Sequence, residues 1–455
     1  MPSSGQIRES LTLRPQPPEW LRGLRTAPAP AIGSTNLETR RELGLPTDRP
    51  ILMSGHQVEF WHAGVLAKLL AIDGARRVEP GVHLAWVDVD QDANQPWRIA
   101  YPAQSATGGL VRRVWDVSGG PAREEELALG IVKALQATPA PSDAYTPGVQ
   151  AGLDQIAAAL GQAQHAPSAA AQFGNAAFAL SGESGRGIQR MSALTLAQTS
   201  LFAALVERML REPARCCQAY NAGAMAHPQA GVRPLDARGE LPLWSISPSG
   251  LRRRVFAGSL PTDGVLAPKA LFMTLLLRMA ACDMFVHGLG GEQYDQVMVA
   301  WARGWLGAEA VLAPAVAASA TRLVAFPGIE APTPEEIRAA RWVSAHARHD
   351  PGLVGDAALL AEKRRLVQEI ASLPRRSPAR RVAYERLLGL LETMRSSHAA
   401  ELAGLEAEAT RLGAARELAT IVHDRTWAFP MLNPASVDSL RSEICEAFSN
   451  PARGR

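Results

Sequence analysis

The amino-acid sequence predicts an α/β protein with a Rossmann-like parallel sheet core, a helical insertion and a C-terminal antiparallel coiled-coil arm. Three observations lead to this prediction. A buried-strand pattern begins at Ile51 and is followed by a helical pattern and a second apolar strand. Strand patterns return after residue 230 and lead into a glycine-rich turn at 288–291. Apolar residues then recur at coiled-coil spacing between 359 and 412.

Composition limits the classes of protein to which this chain can belong. The 455 residues are 47% hydrophobic and 20% charged, as in globular proteins of two or three domains. The net charge of +3 gives no indication of nucleic-acid binding, and no apolar stretch is long enough to span a bilayer. The four cysteines form neither a disulfide framework nor a CxxC pair, which favours a reducing compartment. We therefore predict a cytoplasmic protein with neither nucleic acid nor membrane as a partner.

Changes in pattern along the chain suggest six segments. They are an extended leader (1–49), the first half of the core (50–105), a helical insertion (106–230), the second half of the core with its glycine-rich loop (231–330), a helical coiled-coil hairpin (331–422) and a C-terminal closing segment (423–455).

The first half of the core reads as a βαβ unit. Ile51, Leu52 and Met53 form the continuous apolar run of a strand buried on both faces. A polar turn, a helical stripe beginning near Val65 and a second buried strand from Val82 follow. Because ligands of open α/β sheets bind beyond the carboxyl ends of the strands, residues 54–62 are the first place to expect a site.

The turn after the first strand offers groups that could hold a phosphate or a carboxylate. Ser54, Gly55, His56 and Gln57 lie directly in it, and His62 follows. Free amides and an imidazole suit an anion at this position. The alternative is a loop whose histidine only satisfies backbone groups. We favour the binding site because of the loop's position in the sheet.

Three alternating aspartates end the second strand. Asp88, Asp90 and Asp92 are expected to project from one face, where they could hold Mg²⁺ or orient a substrate amine. Some of them could instead cap the next turn or pair with Arg98. We favour polar substrate binding over a metal, and no metal-ligating residue is assigned.

A glycine-rich turn lies between a later strand and helix. Its glycines allow a ligand to approach the backbone, and the following helix N-terminus favours an anion. The segment lacks the last glycine of the dinucleotide fingerprint, and no Walker A lysine is present. The candidate residues of this segment are His287, Gly288, Gly290, Gly291, Glu292 and Tyr294.

Two heptad-spaced stretches predict the C-terminal arm. One runs from Leu359 to Leu373 and the other from Leu388 to Leu412, with prolines between them. We expect two helices that fold back as an antiparallel hairpin. The segment 423–429, which follows, could close the pocket or could only dock a helix end.

These motifs resemble the cysteine-adding enzymes of bacillithiol biosynthesis. Residues 54–57, with Gly64 and Lys68 after them, resemble the family's Thr-Gly-Gln-Gln opening, with His56 in place of a glutamine. Residues 85–92 are similar to its second strand but lack its Glu-Asp-His pattern, and residues 285–294 are similar to its glycine-rich segment. The resemblance implies a Rossmann-type core, a coiled-coil arm used for dimerisation, and joining of the cysteine carboxyl to the amine of an amino-sugar conjugate.

We therefore predict a ligase or transferase that acts on a small polar metabolite. His56 and His287 would hold phosphate or oxyanion with the amides of Gly288, Gly290 and Gly291, and Asp88 or Asp90 would orient or deprotonate an attacking amine. ATP or another nucleotide is the candidate cofactor, Mg²⁺ is less favoured, and a homodimer through the arm is expected. The alternative is a non-catalytic dimeric assembly or ligand-sensing protein with a degenerate α/β site.

Overall fold

The computed structural model describes residues 9–26, 35–119 and 126–449. Residues 1–8 and 27–34 of the predicted leader, 120–125 of the predicted insertion and 450–455 of the closing segment lie outside the described residues. The strands of the described part are β1 (Ser10–Arg14), β2 (Ile51–Gln57), β3 (His83–Val89), β4 (Arg98–Gln104), β5 (Leu110–Asp116), β6 (Gln189–Ser192), β7 (Glu240–Ile246), β8 (Arg252–Phe256), β9 (Val265–Pro268), β10 (Met284–His287) and β11 (Ala315–Thr321).

The α-helices of the described part occur between these strands and beyond the last of them. They are α1 (Pro17–Thr26), α2 (Thr35–Glu42), α3 (Ala63–Val78), α4 (Pro147–Gln162), α5 (Ala169–Leu180), α6 (Ser200–Arg211), α7 (Pro213–Ala226), α8 (Ala270–Leu276), α9 (Leu289–Leu306), α10 (Pro334–Ala347), α11 (Ala357–Ser372), α12 (Pro378–Ser397), α13 (Ala399–Ala414), α14 (Arg416–Val422) and α15 (Pro434–Ser449). None of the described helices is long and apolar enough to cross a lipid bilayer.

Contacts within the chain divide it into two units. One contains the described residues 9–325 and 425–449, and the other contains 326–424. The first unit is built around a six-stranded sheet in the order β1-β11-β10-β2-β3-β6. Its strands from β11 to β6 run parallel, and β1 pairs with β11 antiparallel at one edge. The prediction of an α/β protein with a mostly parallel sheet is confirmed.

Burial on both faces explains why the central strands read as continuous apolar runs. Ile51, Leu52 and Met53 of β2 have no exposed surface. One face of the sheet shares a core with helices that include the buried Phe272 and Trp301. Helix α3 packs closely on α15, since a Cβ added at Gly74 of α3 would lie 3.0 Å from the ring of Phe448 in α15.

The predicted βαβ unit is present as β2, α3 and β3, with β2 and β3 parallel over seven residue pairs from Ile51 and His83 to Gln57 and Val89. The predicted insertion is helical over α4 to α7, but it also contains β5 and β6. β5 forms a hairpin with β4, and β6 joins the main sheet beside β3. Only one residue of β6, Met191, is apolar and buried, so this edge strand carries no hydrophobic pattern that could predict it.

The described part of the predicted extended leader is also regular structure. β1 is the antiparallel edge strand, and α1 buries Trp20, Leu21 and Leu24. The Trp20 indole donates a hydrogen bond to the Pro15 carbonyl at 2.8 Å. The apolar stripe of α1 consists of only these three residues, in a segment rich in proline and arginine. The sequence pattern was therefore too weak to predict the helix.

The second unit consists of helices α10 to α14. Asp356 at the start of α11 contacts His398 at the end of α12, with 3.0 Å between Oδ2 and Nε2, and Glu369 near the end of α11 contacts Arg386 of α12 at 3.2 Å. α11 and α12 are therefore antiparallel neighbours. The helix is interrupted at His398, between α12 and α13. α13 then packs on α10 and does not continue along α11. Leu388, predicted to face the partner helix, is 46% exposed.

Candidate functional site

A cavity of about 500 Å³ lies at the carboxyl ends of β2, β3 and β10. The strand order reverses between β2 and β10. From β2 the chain adds β3 and β6 on one side, and from β10 it adds β11 on the other. Ligands of open α/β sheets bind in the crevice at such a switch point. This cavity, called the main cavity below, is therefore the candidate site of the protein.

His56 and Lys68 form a hydrogen-bonded pair in the wall of this cavity. The Lys68 Nζ lies 3.5 Å from Nδ1 of His56 and donates a hydrogen bond to the Gly55 carbonyl at 2.5 Å. Nε2 of His56 lies 3.1 Å from Oε1 of Glu59. A carboxylate only accepts, so Nε2 carries the ring proton and Nδ1 is left to accept from Lys68.

Burial sets the protonation of this pair. Burial, reinforced by the nearby charge of Lys68, lowers the pKa of His56 to about 4. Burial also lowers the pKa of Lys68 to about 7, although Glu59 opposes the shift. At neutral pH the imidazole is therefore uncharged, and the lysine is divided between ammonium and free amine. A free amine at neutral pH can act as a base or as a nucleophile.

His287 belongs to a second buried network. Its Nε2 lies 3.2 Å from Oδ1 of Asp295, and Oδ2 of Asp295 accepts from Nη1 of Arg278 at 2.5 Å. Burial alone would raise the pKa of Asp295, but its interactions with His287 and Arg278 outweigh burial and lower it. Gly291 makes room for the imidazole, because a Cβ there would lie 3.0 Å from Nδ1 of His287. This network fixes His287 where β10 enters the cavity.

Two long helices begin at the cavity. Nδ1 of His62 caps α3 by accepting from the Gly64 amide at 3.0 Å. Gly288 precedes α9, and Gly290 and Gly291 of its first turn line the cavity. The first amides of a helix have no partner within the helix and carry a partial positive charge. Together with Lys68, they favour an anionic group in this space.

The three predicted aspartates do not converge. Asp88 accepts from Nε of Arg190 at 3.1 Å, and burial raises the pKa of Asp88 despite that arginine. Asp90 accepts from the Ser192 hydroxyl and, at 3.1 Å, from the Leu194 amide. Burial raises the pKa of Asp90 to about 6. Neither residue lines the cavity. The predicted alternation fails because β3 ends at Val89, so Asp90 lies beyond the strand.

Asp92 alone of the three reaches the cavity. It accepts from the Gln57 side chain and, at 2.7 Å, from Nη1 of Arg252. Among the residues that the structure describes, no group of three or more histidines, cysteines, aspartates or glutamates could hold a metal ion.

Most of the other predicted residues come together. The predicted residues that line the main cavity are Gly55, His56, Gln57, His62, Lys68, Asp92, His287, Gly288, Gly290, Gly291 and Tyr294. Ser54 is buried and donates to the Val286 carbonyl at 2.8 Å, which ties β2 to β10. Glu292 lines a separate cavity of about 160 Å³ that also contacts His287.

The sequence did not point to several residues of the wall. Met273 and Thr274 of α8, Ser319 of β11 and Leu277 all line the cavity. A π-helical turn, Leu277–Ala281, follows α8 directly and contains Arg278. Such turns occur frequently at functional sites, but the apolar sequence 271–277 reads as an ordinary buried helix.

Arg425 also lines the cavity, from the segment that was predicted either to close the pocket or to dock a helix end. Trp427 and Phe429 of the same segment are buried, and the Phe429 amide donates to the Trp61 carbonyl at 2.7 Å.

No protein-family model matches the chain, and no curated protein is significantly similar to it.

Proposed function

We propose that the protein is a ligase or transferase that couples a small polar metabolite to an amine in the main cavity. The observation that carries this proposal is the Lys68 amine, 3.5 Å from an uncharged His56, in a cavity where two long helices begin. A base with a pKa near neutrality is suited to proton transfer. The helix amides favour the negative charge that develops on an acyl or phosphoryl group.

The strand order supports a Rossmann-like core. When the parallel strands are numbered along the chain, β6-β3-β2-β10-β11 corresponds to the order 3-2-1-4-5. This is the order of the first five strands in a Rossmann fold. The switch point of that fold coincides with the cavity described above.

Lys68 takes the role that Asp88 and Asp90 were predicted to play. An amine that attacks a carboxyl carbon gains positive charge and must lose a proton, and the unprotonated Lys68 accepts it. His56 accepts a hydrogen bond from Lys68 and so orients its amine. The amides that begin α9, near Gly290 and Gly291, stabilise the oxyanion of the tetrahedral intermediate.

A nucleotide such as ATP would activate the substrate's carboxyl group by transferring a phosphoryl or adenylyl group to it, and that phosphate or AMP would leave when the amide bond forms. The fit rests on the start of α9, where Gly288, Gly290 and Gly291 leave the backbone open to a phosphate. Arg425 lines the same cavity, and its guanidinium group suits a phosphate.

Addition of cysteine to an amino-sugar conjugate is the specific reaction that we propose from the sequence resemblance. The matching residues Gly55, Gln57 and Lys68 line one cavity together with His287 and with His56, which replaces a glutamine of the family, and this supports a shared site. We also propose the cytoplasm as its location, because the four described cysteines are all unpaired thiols.

A coupling assay tests this function. The full-length protein is incubated with ATP, Mg²⁺, cysteine and a glucosamine conjugate, and the amide product is detected by its mass. We expect product with the wild type and at least a hundredfold less with His56→Ala or Lys68→Met. His165→Ala, at an exposed histidine, is the matched control. Equal rates in all three variants would exclude the proposed roles.

Exposed apolar side chains support a dimeric arm, which the ligase and the second candidate, a non-catalytic dimeric assembly or ligand-sensing protein, have in common. Val367 of α11 and Val382, Tyr384 and Leu388 of α12 are 46–56% exposed. We propose that α11 and α12 form a coiled-coil arm through which two chains dimerise. Light scattering on the full-length Val367→Glu, Leu388→Glu variant tests this: a monomer that still couples its substrates separates dimerisation from catalysis.

A further inference from the structure

A second cavity of about 240 Å³ adjoins the main one. The two cavities have four residues in common, Val89, Asp92, Ala270 and Tyr294. Tyr294 comes from the first turns of α9, and Asp92 follows β3. The two cavities are therefore immediate neighbours along this common wall.

The carboxylates of the second cavity are already neutralised. Glu240 accepts from Nζ of Lys269 at 2.6 Å and from the Asp236 amide at 2.8 Å. Asp92 is bound to Gln57 and Arg252, as described above. The positive charges of Lys269 and Arg252 offset the negative charges of Glu240 and Asp92. The two carboxylates therefore add no net negative charge that would repel an anion.

Two guanidinium groups in the same cavity are much less engaged. Arg233 is exposed and makes no hydrogen bond or ion pair with another described residue. Within the described ranges, Arg254 has only a long contact, 3.9 Å from its Nε to Oε1 of Glu240. Both side chains line the cavity. Guanidinium groups bind carboxylates and phosphates through paired hydrogen bonds.

The cavity also contains an unsatisfied buried acceptor. Gln91 is 2% exposed, and its side-chain nitrogen lies 3.3 Å from the Pro268 carbonyl. Its Oε1 has no hydrogen-bond partner among the described residues. A buried acceptor without a donor destabilises the free protein, so a ligand hydroxyl or amine that donates to it would bind more tightly.

We propose that the second cavity binds the anionic end of a substrate, a carboxylate or phosphate held by Arg233 and Arg254 next to a hydroxyl or amine that donates to Gln91. The reacting group of the same substrate then lies in the main cavity, beside Lys68. That last assignment rests on the proposed function, whereas the anion site depends only on the residues of the second cavity.

Isothermal titration of the full-length protein tests the site with succinate, tartrate and inorganic phosphate as separate probes. We expect Arg233→Gln and Arg254→Gln each to weaken binding of the preferred anion about tenfold or more. Arg253→Gln is the matched control, because side chains alternate along β8 and Arg253 is outside the cavity lining. The probe that binds more tightly distinguishes a carboxylate from a phosphate.

The hydroxyl groups of tartrate test Gln91. Tartrate should bind several-fold more tightly than succinate, and Gln91→Leu should remove that difference while succinate binding is kept. Tartrate and succinate binding equally to the wild type would overturn this part of the proposal.

Two results would overturn the site itself. One is no binding of any of the three anions to the folded protein. The other is binding that Lys68→Met weakens and the two arginine variants do not, because the anion would then occupy the main cavity. Binding that depends on Arg233 and Arg254 without any coupling activity would keep the site and reject the proposed function.

Discussion

The Nζ atom of Lys68 lies 3.5 Å from Nδ1 of His56, and its second acceptor is the Gly55 carbonyl at 2.5 Å. Lys68 is 4% exposed and lies on α3 over the ring of Trp86, with 5.3 Å between Nζ and the ring centroid. No carboxylate among the described residues forms an ion pair with it, so burial prevails and its pKa falls to about 7. The fold therefore maintains an amine that titrates near neutral pH in its main cavity.

The stability of the protein should respond to pH through Lys68. Its pKa is lower in the folded than in the unfolded chain, so the unfolded chain binds more protons above about pH 7. The free energy of unfolding attributable to Lys68 should therefore rise with pH from about 7 toward the ordinary lysine value, by at most about 1.4 kcal/mol per unit. Below pH 7 the full cost of burying the charge remains.

Urea unfolding of the wild type and Lys68→Met at pH 6 and pH 9 measures this effect. Methionine carries no charge, so the variant should gain stability relative to the wild type at pH 6 and lose that advantage at pH 9. A difference that does not change with pH would contradict the assigned protonation.

The coupling rate should depend on the same titration. Only unprotonated Lys68 can accept a proton, so kcat/KM should fall about tenfold per unit below pH 7 and level off above it. The profile is measured with saturating nucleotide from pH 5.5 to 9. A flat profile over this range, with active protein at both ends, would remove Lys68 from the role of base.

Asp295→Asn should destabilise the first unit. The substitution leaves the 7% exposed Arg278 side chain without its carboxylate and weakens the contact with His287. Breaking a buried pair in this way costs about 3–5 kcal/mol. Thermal and urea unfolding measure it, with Glu335→Gln as a control, because Glu335 and Arg338 form an exposed pair that contributes little to stability. Similar losses for both variants would contradict the network around His287.

Two glycines of α4 should respond in opposite directions to alanine. A Cβ at Gly152 would lie 2.3 Å from the Pro430 carbonyl oxygen, so Gly152→Ala should cost about 1–3 kcal/mol. Gly161 has nothing within 4 Å of its added Cβ, and Gly161→Ala should stabilise by about 0.5–1 kcal/mol. The two melting temperatures should therefore move apart. Equal shifts would show that residues 430–431 do not pack on α4 as described.

The sequence was sufficient to predict the parts of the fold and site that depend on local pattern. The apolar run from Ile51 and the helical stripe from Val65 predicted β2 and α3. The expected turn at residues 54–57 is wrong, because β2 continues to Gln57 and these four residues end the strand where it reaches the cavity. The glycine-rich turn predicted at 288–291 is shorter than expected, because α9 begins at Leu289 and Gly290 and Gly291 belong to its first turn. In a parallel sheet these strand ends meet at one edge, so their side chains come together without further information.

What the sequence did not predict depends on contacts between distant residues. Asp88 and Asp90 look alike in the sequence, but Arg190 and Ser192 bind them only because β6 pairs with β3. The second cavity combines Gln91 with Arg233 and Arg254 from segments that carry no common motif. Leu388 fits the heptad spacing, yet the break at His398 changes which helix each stretch contacts.

Thermal-shift measurement of the full-length protein with ATP, cysteine and a glucosamine conjugate tests the central claim most directly. A ligand that binds only the folded state raises the melting temperature. We predict an increase with at least one of these ligands that is lost in His56→Ala and Lys68→Met and retained in His165→Ala. A folded wild type whose melting temperature none of them changes, or an increase of equal size in all three variants, would contradict the assignment of this cavity as the active site.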